Sequence, residues 1–211
     1  MSSAVIHSHD VDIDDALEFV DTLELEHGEP VDHLQQPADA VEWFRDHGLI
    51  HAGERDAALA RVTARSPAGD EALAHVRAVR RALREVLDAT YERRSPEPMA
   101  VETVNEAMRA HQRLVLVAGP DGAALDHRHE GDPVDDALAR IAERIAREVS
   151  GDHAERVKVC ANPTCRWVFF DSSRTGRRRW CDMATCGNRA KAARHRARTK
   201  EQGSDHGVVR A

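Results

Sequence analysis

The chain has four cysteines, and all of them fall in one short stretch, as Cys160, Cys165, Cys181 and Cys186. Their spacing is C-x4-C, fifteen intervening residues, then C-x4-C. Each pair can close on a tight turn, and Asn162-Pro163 inside the first pair are turn residues. Two such turns bring four thiolates together at low entropic cost, which suits a tetrahedral ion such as zinc with sulfur at about 2.3 Å. The run Trp167-Val168-Phe169-Phe170 reads as a strand and Arg179-Trp180 as its returning partner, and Gly187 leads into the helix-compatible run NRAKAARHRAR. The last ligand then lies at a helix N-terminus, where the dipole favours a thiolate. Segments this small rarely fold on their own core, so a metal and a few aromatic side chains must share the task. Four free buried thiols and iron–sulfur ligation are the alternatives. Paired spacing with flanking strands favours one zinc ion in a zinc-ribbon or treble-clef-like finger. Thiolates fill all four positions and leave no open place for a catalytic water, so the metal is expected to be structural.

Reducing surroundings make such cysteines metal ligands rather than disulfides. The opening MSSAVIHSHDVDID lacks the basic flank and apolar centre of a secretory signal, and no apolar run approaches the ~20 residues of a membrane span. A cytoplasmic protein of bacterial type, without a membrane partner, is the expectation. Charge is divided sharply along the chain. Residues 1–159 hold 18 Lys/Arg against 33 Asp/Glu, a net of −15, whereas residues 160–211 hold 12 against 4, a net of +8. An acidic body joined to a basic end points to a polyanionic partner at that end.

The body reads as helices. Leu17 and Val20, with Leu23 or Leu25, give helical spacing over 14–25, ended by Gly28-Glu29-Pro30. A short helix starts at Pro37 and closes at Gly48, with Val41, Trp43 and Phe44 as core anchors, and a third covers 54–65. The longest periodic run is 70–93, in which Leu73, Val76, Val79 or Arg80, Leu83, Val86 and Leu87 form one stripe. Another helix is expected over 97–111. The period then changes, and RLVLVAGPDGAALDHRHE reads as a β-hairpin about Pro120-Asp121-Gly122. Asp132 and Pro133 supply an N-cap and a first helical residue for a helix with Val134, Leu138, Ile141, Ile145 and Val149 buried, ended by Gly151. The fold class expected is therefore mainly α with a small β-hairpin (α+β) over residues 1–152, a four-cysteine finger ending in a basic helix over 153–201, and a disordered tail over 202–211.

Several positions together resemble the CGNR zinc-finger family. They are Cys160, Cys165, Trp167, Phe169, Asp171 and Ser173, then Arg178, Arg179, Trp180, Cys181, Met183, Cys186-Gly187-Asn188-Arg189 and Lys191. The upstream part is similar to the ABATE domain usually joined to this finger and described as a stress-induced transcription regulator. Its opening L-x-F-V-N-T corresponds to Leu17, Phe19, Val20, Asp21 and Thr22, with Asp in place of Asn, and a W-x-x-x-x-G-L pattern corresponds to Trp43, Gly48 and Leu49. The resemblance implies a DNA-binding transcriptional regulator whose N-terminal domain has no assigned role. The further expectations are that the chain is not an enzyme, that its N-terminal domain is regulatory or senses a small-molecule effector, and that it associates with the nucleoid when bound to DNA.

The residues support that role independently. Residues 160–200 contain eleven Lys/Arg and two acidic residues. Arg174, Arg177, Arg178 and Arg179 cluster in the loop SSRTGRRR, and Arg189, Lys191, Arg194, Arg196 and Arg198 run along the terminal helix. Guanidinium groups bind phosphate in bidentate fashion and hydroxyl side chains add neutral donors. These nine are the candidate nucleic-acid contacts. The competing reading is that some of them dock on the acidic body as an intramolecular latch. Asn188 lies next to a ligand and is read as a capping residue. The pairs His7/His9 and His127/His129 have strand spacing, but no carboxylates complete a second metal site. No glycine-rich phosphate loop, G-x-S-x-G or H-E-x-x-H is present. The alternative function is a zinc-stabilised protein-interaction adaptor without direct DNA binding, and a homodimer that reads paired half-sites is a further expectation.

Overall fold

A computed structural model describes residues 11–63, 67–109, 114–119, 122–127 and 132–204. The order is α1 (Ile13–Asp21), β1 (Leu23–Glu26), β2 (Glu29–Asp32), α2 (Pro37–Asp46), α3 (Ala52–Thr63), α4 (Pro67–Glu92), α5 (Pro98–Arg109), β3 (Leu114–Gly119), β4 (Gly122–His127) and α6 (Pro133–Ser150). The cysteine region adds β5 (Val157–Val159), β6 (Val168–Phe170) and α7 (Asn188–Ser204). Among the described residues, three separate two-stranded antiparallel hairpins, β1-β2, β3-β4 and β5-β6, accompany the helices.

Local chemistry sets the helix ends. Asp12 caps α1 by accepting from the Asp14 amide at 2.8 Å. Asp39 accepts from the Gln36 amide at 2.7 Å while Pro37 begins α2, and Gly48 takes φ +67° just beyond it. Asp132 caps α6 through the Val134 amide at 2.9 Å, ahead of Pro133. One apolar cluster then unites the body: Leu17, Phe19 and Val20 of α1, Val41 and Phe44 of α2, Val79, Leu83 and Leu87 of α4, and Leu138, Ile141 and Ile145 of α6.

The first helix is shorter than its apolar spacing suggests. It stops at Asp21, and Leu23 and Leu25 belong to β1. His27 (φ 55°) and Gly28 (φ 95°) make the two-residue turn to β2, a geometry that suits hairpin twist. Arg80, 2 % exposed on α4, pins this hairpin: it donates to both Asp32 carboxylate oxygens at 2.8 and 2.7 Å and to Thr22 Oγ1 at 2.9 Å. The hairpin expected about residues 120–122 is present as β3 and β4, with Leu114 opposite His127.

A second correction concerns β6. Its partner is β5, with Val159 opposite Val168, and not Arg179-Trp180. The two residues instead hold the knuckle, where the Ala161 amide donates to the Arg179 carbonyl at 2.9 Å. Strand periodicity gives the β5-β6 hairpin two uses. Val157, Val159, Val168 and Phe170 face the body core, while Phe169 faces the cysteines with Trp167 and Trp180. Helix α7 continues through Ser204, so Gln202–Ser204 are helical, and 205–211 lie outside the described residues.

Candidate metal centre

The four thiols converge. Cys160 and Cys186 are buried, Cys165 and Cys181 half-buried, and all four Sγ atoms lie within 4.8 Å of one another. Cys165 and Cys181 sulfurs are 3.7 Å apart and those of Cys181 and Cys186 are 3.8 Å apart. A tetrahedron with sulfur about 2.3 Å from its centre has edges of about 3.8 Å, whereas a disulfide needs about 2.05 Å. Clusters of several irons hold their cysteines on different metal atoms and set them further apart. The spacing therefore fits a single ion, and these cysteines hold one structural zinc.

The thiol electrostatics agree. A hydrogen bond from Cys181 pushes the Cys160 pKa down to about 5. Burial, with the negative charge on Cys160, pushes Cys165 up to about 12, and the hydrogen bond to Cys160 raises Cys181. One thiolate is tolerated and further ones repel, a repulsion that a divalent cation removes.

Surrounding groups fix the ligands. Asn162 donates to Cys186 Sγ at 3.4 Å, and its Oδ1 accepts from the Thr164 amide at 3.2 Å. Asp182 caps the π turn Met183–Gly187 through the Thr185 amide at 2.7 Å, so Cys186 sits in that turn, just ahead of α7. Gly187 has the Met183 thioether sulfur 2.8 Å from where a Cβ would be. Asn188 donates to the Ala184 carbonyl at 3.0 Å, a capping contact. Asp171 is fully buried. Burial alone would raise its pKa, but donors at Ser173 and the Arg178 amide outweigh it and hold the carboxyl below its usual value.

The nine basic residues separate into groups. Arg178 is engaged inside the finger: Nε donates to the Trp180 carbonyl at 2.9 Å, Nη2 to the Cys181 carbonyl, and the guanidinium lies over Phe169. Arg179 is exposed with its guanidinium over the Trp180 ring. Arg174, Arg177, Arg189, Lys191, Arg194 and Arg196 are exposed, and among the described residues no carboxylate pairs with them. The Arg198 side chain lies outside the described residues. In α4 and α6, by contrast, Arg77, Arg80, Arg84, Arg140, Arg144 and Arg147 each hold a carboxylate.

The body and finger meet through other residues. Asp21, 3 % exposed, accepts from the Val168 amide at 2.9 and 3.2 Å. Trp167 Nε1 donates to Glu24 at 2.6 Å, and Arg84 donates to the Arg166 carbonyl at 2.8 Å. No pattern within residues 160–200 announces this joint; the only sequence hint is the acid at position 21 amid buried Phe19 and Val20. Elsewhere, Asp15, Glu18 and His47, and Glu24, Glu26 and His33, each bring three potential ligand atoms together without further sign of a metal. His7, His9 and His129 lie outside the described residues, as does the side chain of His127.

Comparison with known families agrees with this anatomy. The ABATE family, described as "Putative stress-induced transcription regulator", matches residues 14–152, and the CGNR zinc finger matches residues 156–199. Neither is an enzyme family. A search of curated proteins finds no match.

Proposed function

The chain belongs to the ABATE family and carries a CGNR zinc finger in its C-terminal quarter, and on that premise we propose that it is a transcription regulator that binds duplex DNA through the finger, is no enzyme, and works in the cytoplasm at the nucleoid. The observation that carries this reading is a set of finger cations that, among the described residues, hold no carboxylate. Arg174, Arg177, Arg179, Arg189, Lys191, Arg194 and Arg196 are exposed beside a rigid knuckle, in a chain whose acidic body carries the complementary charge. Cations so placed suit phosphate, and their field is focused on one end of the molecule.

The zinc supplies rigidity. It holds the loop and the start of α7 in fixed relation while taking no part in chemistry. Phosphate contacts give affinity and register without sequence preference, so base reading falls to residues of α7 near its N-terminus when that end enters the major groove. Asn188 is occupied by its bond to Ala184, which leaves Arg189 as the first α7 side chain free to reach a base edge.

Selection from a random-sequence duplex pool, using zinc-loaded full chain, tests the proposal. Enrichment of a defined motif is the expected result. Retention without enrichment would reduce the reading to non-specific binding, and no retention at low salt would favour a protein-interaction adaptor.

A further inference from the structure

A cleft of about 320 Å³ lies where the β1-β2 hairpin, α4 and the first knuckle of the finger meet. That volume falls in the range of small-molecule sites. One side is apolar: Val20, Leu23, Leu25 and Pro30. The other is a stripe of α4, since Arg80, Arg81, Arg84 and Asp88 recur at helical spacing and span about 12 Å along the axis. Cys165 and Arg166 close the finger side.

The polar groups of this cleft favour an anion. Four arginines line it against two carboxylates, Glu24 and Asp88. Both carboxylates are already engaged. Glu24 accepts from Trp167 Nε1 and lies 2.7 Å from His33 Nε2, and Asp88 accepts from Arg84 at 3.0 Å with Arg166 at 3.7 Å. Arg81 is exposed and has no partner among the described residues. Arg80 is buried, yet among the described residues its Nε has no hydrogen-bond partner, although its terminal nitrogens hold Asp32 and Thr22. A buried donor left without an acceptor is destabilising, and an acceptor brought by a ligand would relieve it. Asp88 Oδ1, with Arg166 Nη2 at 3.7 Å, also lacks a hydrogen bond among the described residues, and a bound hydroxyl or water would supply one.

We propose that this cleft is a binding site for a small amphipathic carboxylate, with its anionic group at Arg80 and Arg81 and its apolar part against Leu23, Leu25 and Pro30. Because the body supplies one side and the finger's first knuckle another, the ligand bridges the two regions. The binding site stands by itself, whereas its use as an effector input rests on the regulator reading above.

The test is thermal shift and calorimetry on zinc-loaded full chain, without DNA. The probes are hexanoate, octanoate and phenylacetate, each against its matched alcohol. At least one carboxylate should raise the melting temperature saturably while its alcohol does not. Arg81→Glu, an exposed position, should weaken that binding at least about tenfold, as loss of a charge-assisted contact requires. Leu25→Trp should abolish it by filling the apolar side. Unchanged unliganded melting temperatures in both variants separate lost binding from lost folding, and Arg81→Ala serves if Arg81→Glu melts lower. Carboxylates that fail to bind, alcohols that bind equally, or undiminished binding by the Arg81 variant would overturn the proposal. DNA binding is absent from every arm, so failure of the regulator reading would leave these results intact.

Discussion

Asp21 shows how much one side chain can carry. It ends α1, is almost fully buried, and receives the amide of Val168 from the far side of the chain. Burial raises its pKa well above the usual carboxylate range, although the Val168 amide and Arg84 pull the other way. The folded state therefore holds the proton more tightly than the unfolded chain, whose carboxyl titrates near 3.9. Its stabilising contribution is fully present below that value and is lost as pH rises through the raised folded value. The related pattern has Asn here, which keeps an acceptor for Val168 and buries no charge. Asp21→Asn should accordingly melt higher than the parent at pH 7, and the gap should narrow as pH falls from 8 to 5. A gain of about 1 kcal/mol corresponds to about 2–4 °C. Thermal melts across that pH range check it, and a pH-independent loss of stability would show that the charge itself is needed beside Arg84.

At the scale of elements, α7 has no apolar side chain larger than alanine, and none of its described side chains belongs to the body core. Its cations fall into two opposite stripes. Helical spacing aligns Arg189 with Arg196, and Lys191 with Arg194, nearly half a turn away. Only one stripe can lie against a duplex. Reversing Arg189 and Arg196 together, or Lys191 and Arg194 together, should therefore have unequal effects. One pair should lower the slope of log affinity against log salt by about 2 and the other by well under 1. Equal effects would mean that the helix makes no oriented contact.

Elements also show what could be read in advance. Capped helices such as α2 and α6 were legible, because Pro, Asp and Gly signal locally, and so were the four cysteines, because their spacing is itself the geometry. The β1-β2 hairpin was not, because Leu23 continues the three-residue spacing of Leu17 and Val20 and so hides the change of period. His27 supplies a left-handed residue that ordinary turn signals do not mark. The partner of β6 was missed for a related reason: Val157–Val159 lies before the first cysteine, outside the segment that the cysteines define. Contacts such as Asp21 to Val168 join residues 147 positions apart, and no local pattern encodes such a distance.

Across the whole molecule, the finger is half embedded. The valines of β5 and β6 belong to the body core, whereas the knuckle depends on the metal and on Phe169, Trp167 and Trp180. Removing zinc should therefore act unevenly. Hydrogen exchange after chelation should show the Val168 amide still protected while the Gly187 amide, bonded to the Asp182 carbonyl at 3.0 Å, loses protection. Uniform loss from 156 to 204 would mean that the finger folds as one unit under the metal's control.

Among the described residues the acidic body pairs with none of the exposed cations of the loop and of α7 up to Arg196, and binding of that end to DNA is the central claim. Fluorescence anisotropy with a labelled duplex, titrated from 50 to 200 mM salt with zinc-loaded and with chelated protein, tests it most directly. If about six phosphates are neutralised, log affinity should fall against log salt with a slope of about −5, and chelation should weaken binding at every salt concentration. A slope near zero, or affinity indifferent to the metal, would contradict it.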